Sequence, residues 1–460
     1  MATDRARAPD GGPTLLTGDE QARPRLRRAL TLSDLVLYGV IVISPMAPMG
    51  IFGVLSVRGR GHVVTAILIA MVAMLLTGIS YGRMARAYPS AGSAFTYVAR
   101  EIHPSLGYVT GWGMVMDYVV NPICCTVWCA EMSNNFVPAI PVIAWKIFYA
   151  VAITVLNFQG IRSSARINAG MTVGQCAVVV VILIAAAHYI FGQPHADPAF
   201  FSRPFYDPAT FSYGGLFGCT AIAVLSYIGF DGISTLSEES ENPRRNILLA
   251  TVLTCVLIGI LSAVEAYVAQ LIWPAAEAFP DMDTAYVWVV GRAWHPLVSL
   301  VGFTLLLGTF AAGMAQQLGA ARLLYAMGRS NALPRRFFAA IEPRHRVPRN
   351  SVLFVGVIVL TGSFVLSYGL AAEILNFGAL IAFMGVNAAA FLRYFVRAPL
   401  KQARNFVPPV LGFLICLALW WSLSTQAKTL GAIWMAVGIA FGIWTTRGFR
   451  VPLDFDVPAE

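Results

Sequence analysis

Apolar residues run along this chain in blocks of roughly 20, separated by short stretches that gather the charges, prolines and glycines. As helices, blocks of that length cross a hydrocarbon layer about 30 Å thick. Five blocks cover 33–56, 62–84, 105–135, 142–160 and 168–191. Five more cover 214–236, 247–273, 297–327, 351–370 and 374–396, and the last two cover 408–424 and 429–446. The pattern predicts an all-α polytopic membrane protein with twelve transmembrane helices.

Two blocks are interrupted. In the first, Ser44-Pro45-Met46-Ala47-Pro48-Met49-Gly50 sets two prolines three residues apart, and neither ring can donate to a helical ladder. In the sixth, Leu225-Ser226-Tyr227-Ile228-Gly229-Phe230-Asp231-Gly232 puts two glycines and a carboxylate into apolar surroundings. Backbone left unpaired at that depth is tolerated only against protein or a water-filled cavity. Taken alone, the first interruption fits a kinked helix with no ligand equally well. The matching interruption five spans later points instead to two inverted halves, 32–191 and 214–396, with discontinuous helices 1 and 6 around a substrate site. That is the organisation of a secondary transporter.

Composition agrees: 57% of the chain is hydrophobic and only 12% charged, against about 25% charged in soluble proteins. The net charge of +9 does not indicate nucleic acid, because the basic residues collect in alternate loops. One set holds Arg83, Arg86, Arg100, Arg162, Arg166, Arg244, Arg245, Arg329, Arg335, Arg336, Arg344, Arg346, Arg349, Arg393, Arg397, Lys401 and Arg404. The other set holds only Arg58, Arg60, Lys146, Arg203, Arg292 and Lys428. This bias predicts both termini in the cytoplasm. Residues 1–31 carry arginines without a signal-peptide core and read as a disordered cytoplasmic tail, with a second tail at 448–460. Spans 11 and 12 occupy 407–447.

Candidate chemistry is sparse. The cysteines lie mostly inside apolar blocks and read as packing residues rather than a disulfide framework or a metal pair. His62, His103, His188, His195, His295 and His345 fall at loops or span ends and read as surface residues. No nucleophile–base pair, metal motif or phosphate loop stands out, so neither an enzyme nor a cofactor is expected. A channel or substrate-sensing receptor on the same scaffold is the competing class, but a channel needs a continuous polar pore. Here mid-span polarity clusters at the two interruptions. The carbonyls of Ile43, Ser44, Leu225 and Ser226 would end the half-helices and offer oxygens to an ammonium group. Asp231 follows the second interruption and is the first candidate for proton sensing or gate coupling. Asp117 is placed either to meet the second ammonium of a diamine or to be solvated. Glu131 and Glu265 are read as nearer the outer surface and weaker candidates.

Three stretches carry a wider resemblance. They are Tyr88-Pro89-Ser90-Ala91-Gly92-Ser93-Ala94-Phe95-Thr96-Tyr97, Tyr227-Ile228-Gly229-Phe230-Asp231 with Glu238 to Arg245, and Asn376-Phe377-Gly378-Ala379-Leu380. From about Leu32 to Arg447 the chain resembles the amino acid–polyamine–organocation superfamily of permeases. Gly61-His62-Val63, Ile79 to Gly82, Gly111-Trp112, Asp117-Tyr118 and Arg322 to Arg329 are similar to bacterial putrescine importers. The resemblance implies a five-plus-five inverted-repeat (LeuT-like) fold with two additional C-terminal helices, and substrate between spans 1, 3, 6, 8 and 10. It also implies alternating access in the cytoplasmic membrane, with an amino acid or polyamine as the small-molecule substrate and protons as a candidate partner.

The chain departs from that family pattern at four places. Pro48-Met49-Gly50 stands where permeases carry Gly-Ser-Gly, leaving the amides of Met49, Gly50 and Ile51 as donors to a substrate carboxylate. That leaves an amine substrate open beside an amino acid. Leu225 replaces an aromatic gate, a role Tyr227, next to Ile228, or Tyr118 would take over. Gln175 stands where many proton-coupled relatives have a lysine. Ala311-Ala312-Gly313-Met314-Ala315 lacks the hydroxyls expected around sodium. Uptake of a putrescine-like amine and uptake or exchange of an amino acid both remain open, the first narrowly favoured.

Overall fold

The computed structural model describes residues 30–445 except 89–92, 160–164, 195–196, 238, 275–276, 330–332 and 343–346. Both tails (1–29 and 446–460), the Pro89–Gly92 part of the family-like loop, Arg162, Glu238, Arg344 and Arg346 lie outside the described residues. The fold is an all-helical polytopic membrane fold, and the described residues hold a single isolated bridge, Leu30 to Ser240.

In chain order the helices are α1 (Leu32–Ile43), α2 (Ala47–Gly59), α3 (Val63–Ala87), α4 (Ser93–Glu101), α5 (Pro104–Phe136), α6 (Val142–Phe158), α7 (Ala165–Phe191) and α8 (Tyr213–Ala223). They continue with α9 (Gly232–Thr235), α10 (Pro243–Ile272), α11 (Ala285–Ala293), α12 (Leu297–Arg329), α13 (Arg335–Phe338), α14 (Arg349–Val365), α15 (Tyr368–Phe391), α16 (Ala403–Trp421) and α17 (Thr425–Thr445). Among the described residues, nine segments are helical, long and apolar enough to cross a membrane, and α1 with α2 makes a tenth bent by 47°. α6 and α14 are apolar but shorter, at 17 residues each.

Both interruptions are real breaks. α1 stops at Ile43, Ser44 takes φ 76°, and α2 starts again at Ala47, with Pro48 in its first turn where a missing N–H costs nothing. α8 stops at Ala223 and tightens into a 3₁₀ turn over Val224–Tyr227. The chain then turns through Gly229 at φ 119°, a conformation that favours glycine.

Several outcomes differ from the sequence expectation. Leu30 and Thr31, within the stretch read as a tail, are part of the fold: the Leu30 N–H and carbonyl pair with Glu239 and Glu241, and Thr31 caps α1 in a capping box with Asp34. Two short helices, α4 and α11, lie in stretches read as plain loops. α4 is fastened by Glu101, a fully buried carboxylate that accepts from Tyr88 Oη at 2.7 Å and pairs with Arg393 and Arg397. His62 is not a surface residue. It is 1% exposed, with Nδ1 on Gly59 O and Nε2 accepting from the Asp207 N–H at 3.0 Å, because the loop before α8 folds over it.

α15, α12, α4, α6, α14 and α17 pack on α5, which is buried along most of its 33 residues. The family-like Asn376-Phe377-Gly378 stretch has a packing reason here. Gly378 of α15 crosses the backbone of α5 at Gly113 O so closely that a Cβ has no room.

Candidate functional site

The two breaks face each other across the middle of the bundle. A Cβ on Gly229 would meet Val42 and Ile43 side chains, so the second break rests on the last turn of α1. Ser44 Oγ donates to Gln175 Oε1 of α7 at 3.2 Å, and the Gln175 amide lies against Gly308 of α12. Gln175 therefore ties the first break to two neighbouring helices through an uncharged link.

Most of the amides that would greet a carboxylate are already spent. α2 begins at Ala47, so the Ile51 amide falls inside the helical ladder, and the Met49 N–H bonds Met46 O at 3.1 Å. Met49 and Ile51 point into the core at 2% and 1% exposure, and only Gly50 keeps an open side. The carbonyls are partly used as well. Ser44 O accepts from Ala47 N and Leu225 O from Ile228 N, each at 3.2 Å, which leaves each oxygen a second lone pair. Asn376 Nδ2 donates to Ala221 O and Ile222 O at 3.0 and 3.2 Å, capping the end of α8. Leu225 is half-buried, while Ser226 is buried with a hydroxyl that has no partner among the described residues.

Tyr227 does not face the site. Its hydroxyl donates to Ile67 O of α3 at 2.9 Å and the ring is fully buried, so it anchors the break instead of gating it. Tyr118 is half-buried, with its ring against Gly319 of α12. Asp117, beside it on α5, is half-buried too and within electrostatic range of Asp231. The Asp231 carboxylate faces the amides of Gly229, Asp231 and Gly232, so it also stabilises the turn it belongs to. Among the described residues no basic side chain pairs with Asp117 or Asp231.

A roof closes one end of this region, and sequence reasoning missed it. Between α10 and α11, residues 279–284 lie across α2, where Met282 O and, at the start of α11, Ala285 press on Gly53. Trp128 of α5 donates from Nε1 to Asp283 O at 2.8 Å, and Phe52 packs edge-on against Phe279 and Tyr286. Asn135 holds the same loop through Thr284 Oγ1 at 2.7 Å. Burial pushes the Asp283 carboxyl up to about 6, helped by nearby Asp281 and Glu131 and opposed by Lys146. Tyr368 of α15 is 8% exposed, brings its hydroxyl near Gly50 and has no hydrogen-bond partner among the described residues. The only sequence signal for this arrangement was a tryptophan N–H inside an apolar span, a group that seeks an acceptor when buried.

Comparison with known proteins agrees with this architecture. The family model described as "Amino acid permease" matches residues 37–446. The chain is 33% identical over 441 residues to the low-affinity putrescine importer PlaP of Escherichia coli, covering 94% of this chain and 96% of that protein. It is 24% identical to the branched-chain amino acid permease BcaP of Bacillus subtilis, over 90% of this chain and 92% of that one. It is also 26% identical to the chloroplastic cationic amino acid transporter 6 of Arabidopsis thaliana, over 84% and 70%.

Proposed function

The chain belongs to the amino acid permease family, and from that premise we propose that it carries a putrescine-like diamine across the cytoplasmic membrane by alternating access. Twelve spans with both termini in the cytoplasm, arranged as inverted halves 32–191 and 214–396, are part of the same reading. One observation carries the choice of substrate. The region between the breaks holds Asp117 and Asp231 with no basic partner among the described residues, while the first-break amides are largely committed to α2. A substrate with two ammonium groups suits that charge. The carboxylate of an amino acid finds neither a cation nor a free row of amides there.

In this reading one ammonium group lies against the free lone pairs of Ser44 and Leu225, beside Gly50, Ser226 and Ile228. The second meets Asp117 under Tyr118. Asp231 couples the second break to gating by holding its turn together, and Gln175 links the first break to α7 and α12. The similarity to PlaP over nearly the whole chain supports the substrate class.

Ligand-dependent melting of the purified protein tests the proposal. A ligand at a hundred times its Kd stabilises the folded protein by about 2.7 kcal/mol. Putrescine is expected to raise the melting temperature, and leucine or alanine at equal concentration to leave it unchanged. Stabilisation by an amino acid and not by putrescine would transfer the site to amino acids.

A further inference from the structure

Glu265 of α10 is fully buried, and among the described residues neither carboxyl oxygen has a hydrogen-bond partner. It lies two turns inside the end of α10, the outer end on the sequence reading. α3, α1, α7, α11 and α2 all pack on that helix. The groups that face it are few. The Tyr286 hydroxyl of α11 donates to its backbone carbonyl at 3.4 Å, and Cys176 of α7 lies within electrostatic range. No basic residue and no second carboxylate faces it from any described element.

Two further orphaned groups share its helix face. Ser262 Oγ and Thr254 Oγ1 are also fully buried, without a partner among the described residues. Residues 254, 258, 262 and 265 follow one another at three- and four-residue steps, so they form one stripe. That stripe runs about 16 Å along α10, from eleven residues at 1.5 Å each. Its lower end reaches α1, where Thr254 packs on Gly39. Its upper end lies below the roof, since Tyr286 also packs on Phe52. Buried polar groups are nearly always satisfied, and three orphans on one stripe ending in a carboxyl call for an explanation.

We infer that Glu265 is the proton-carrying group of transport, loaded when the roof lifts and emptied along Ser262 and Thr254 when α1 moves from α10. The step is a proton transfer alone: water at the outer face gives a proton to the carboxylate, and the carboxyl later returns it to water at the inner face. With the roof closed, as here, an ionised carboxylate at this position would lack any partner, so closure selects the protonated form. Asp231 is not free for this role, because backbone amides of its own turn already face its carboxylate.

The inference rests on the reading of the chain as an amine transporter, and the test separates the two. Proteoliposomes with wild-type or Glu265→Gln protein are given labelled putrescine, and counterflow and accumulation under an imposed pH gradient are both read. At one proton per substrate, a gradient of about one pH unit supports about tenfold accumulation. Wild type should approach that, and Glu265→Gln should keep counterflow while the gradient adds nothing. Gradient-driven accumulation by Glu265→Gln at the wild-type level overturns the inference. If putrescine shows no counterflow with wild type, the substrate reading has failed, and the same pair of assays is run with the amino acid that does. A pH dye trapped inside wild-type vesicles covers the case in which the variant fails to fold. Inward proton movement on substrate addition supports the inference, and none overturns it.

Discussion

Replacing Gly53 by alanine tests whether the loop between α10 and α11 is a gate. The added Cβ would overlap Met282 O and stand 2.6 Å from Ala285 Cβ, so relief requires the loop to retreat. Reaching ordinary carbon–carbon contact takes a shift of about 1 Å. That shift stretches the 2.8 Å bond from Trp128 Nε1 to Asp283 O beyond hydrogen-bonding range. Overpacking of this kind costs about 1–3 kcal/mol, and the lost bond about 1 more. Only the roof-closed state bears these costs, so the open state gains about 2 kcal/mol at least, roughly 30-fold in population. Native Cys124 reports on it, being buried beneath the roof and within electrostatic range of both Asp283 and Asp117. With exposed Cys176 changed to serine, modification of Cys124 by a membrane-impermeant thiol reagent is followed by peptide mass spectrometry. Gly53→Ala should speed it by about 30-fold. An unchanged rate in a folded, monodisperse variant would mean that the loop is a fixed lid and that access to the site lies elsewhere.

The same assay reads the roof's pH dependence. The Asp283 carboxyl is held up to about 6 in the closed roof, so that state binds the proton more tightly than a solvated aspartate near 3.8. Its closure is therefore favoured in acid, is weakened as pH rises from about 4 through 6, and is flat above. Cys124 modification should accelerate between about pH 4 and 6, beyond the reagent's own dependence on thiolate, and level off above, and Asp283→Asn should abolish that excess. Asn376→Leu removes two hydrogen bonds to the end of α8 at a buried position. It should lower stability by about 2 kcal/mol, read as a fall in melting temperature of the detergent-solubilised protein. Asp117→Asn should weaken putrescine binding by at least about 30-fold, the low end of what an unpaired buried charge costs. Binding of a monoamine competitor should change far less in an equilibrium displacement assay.

The breaks were legible because local chemistry alone produces them. Pro45 and Pro48 cannot continue a ladder, and Gly229 and Gly232 weaken one, whatever surrounds them. The apolar blocks were legible for a similar reason, since length and hydropathy decide whether a helix spans. The site's walls were not legible, because they depend on which way a side chain turns. Tyr227 sits in the break yet sends its hydroxyl to Ile67, a carbonyl 160 residues away in sequence. Asp283 lies over the site in a loop that Trp128 and Asn135, both on α5, hold down. The burial of His62 and of Glu265 was not legible either, because it depends on what packs over them. The loop before α8 covers the first, and α7, α11 and α2 pack around the helix that carries the second. α4 and α11 were missed because nine-residue helices lack the length that marks a span.

The central claim is that the two broken helices enclose a site for a diamine. Uptake of labelled putrescine into proteoliposomes, with unlabelled putrescine, cadaverine, leucine, alanine and arginine as competitors, addresses it most directly. Saturable putrescine uptake is expected, competed by cadaverine and unaffected by leucine or alanine, and lost in Asp117→Asn. Saturable uptake of an amino acid by vesicles that neither transport putrescine nor are inhibited by it would contradict the account.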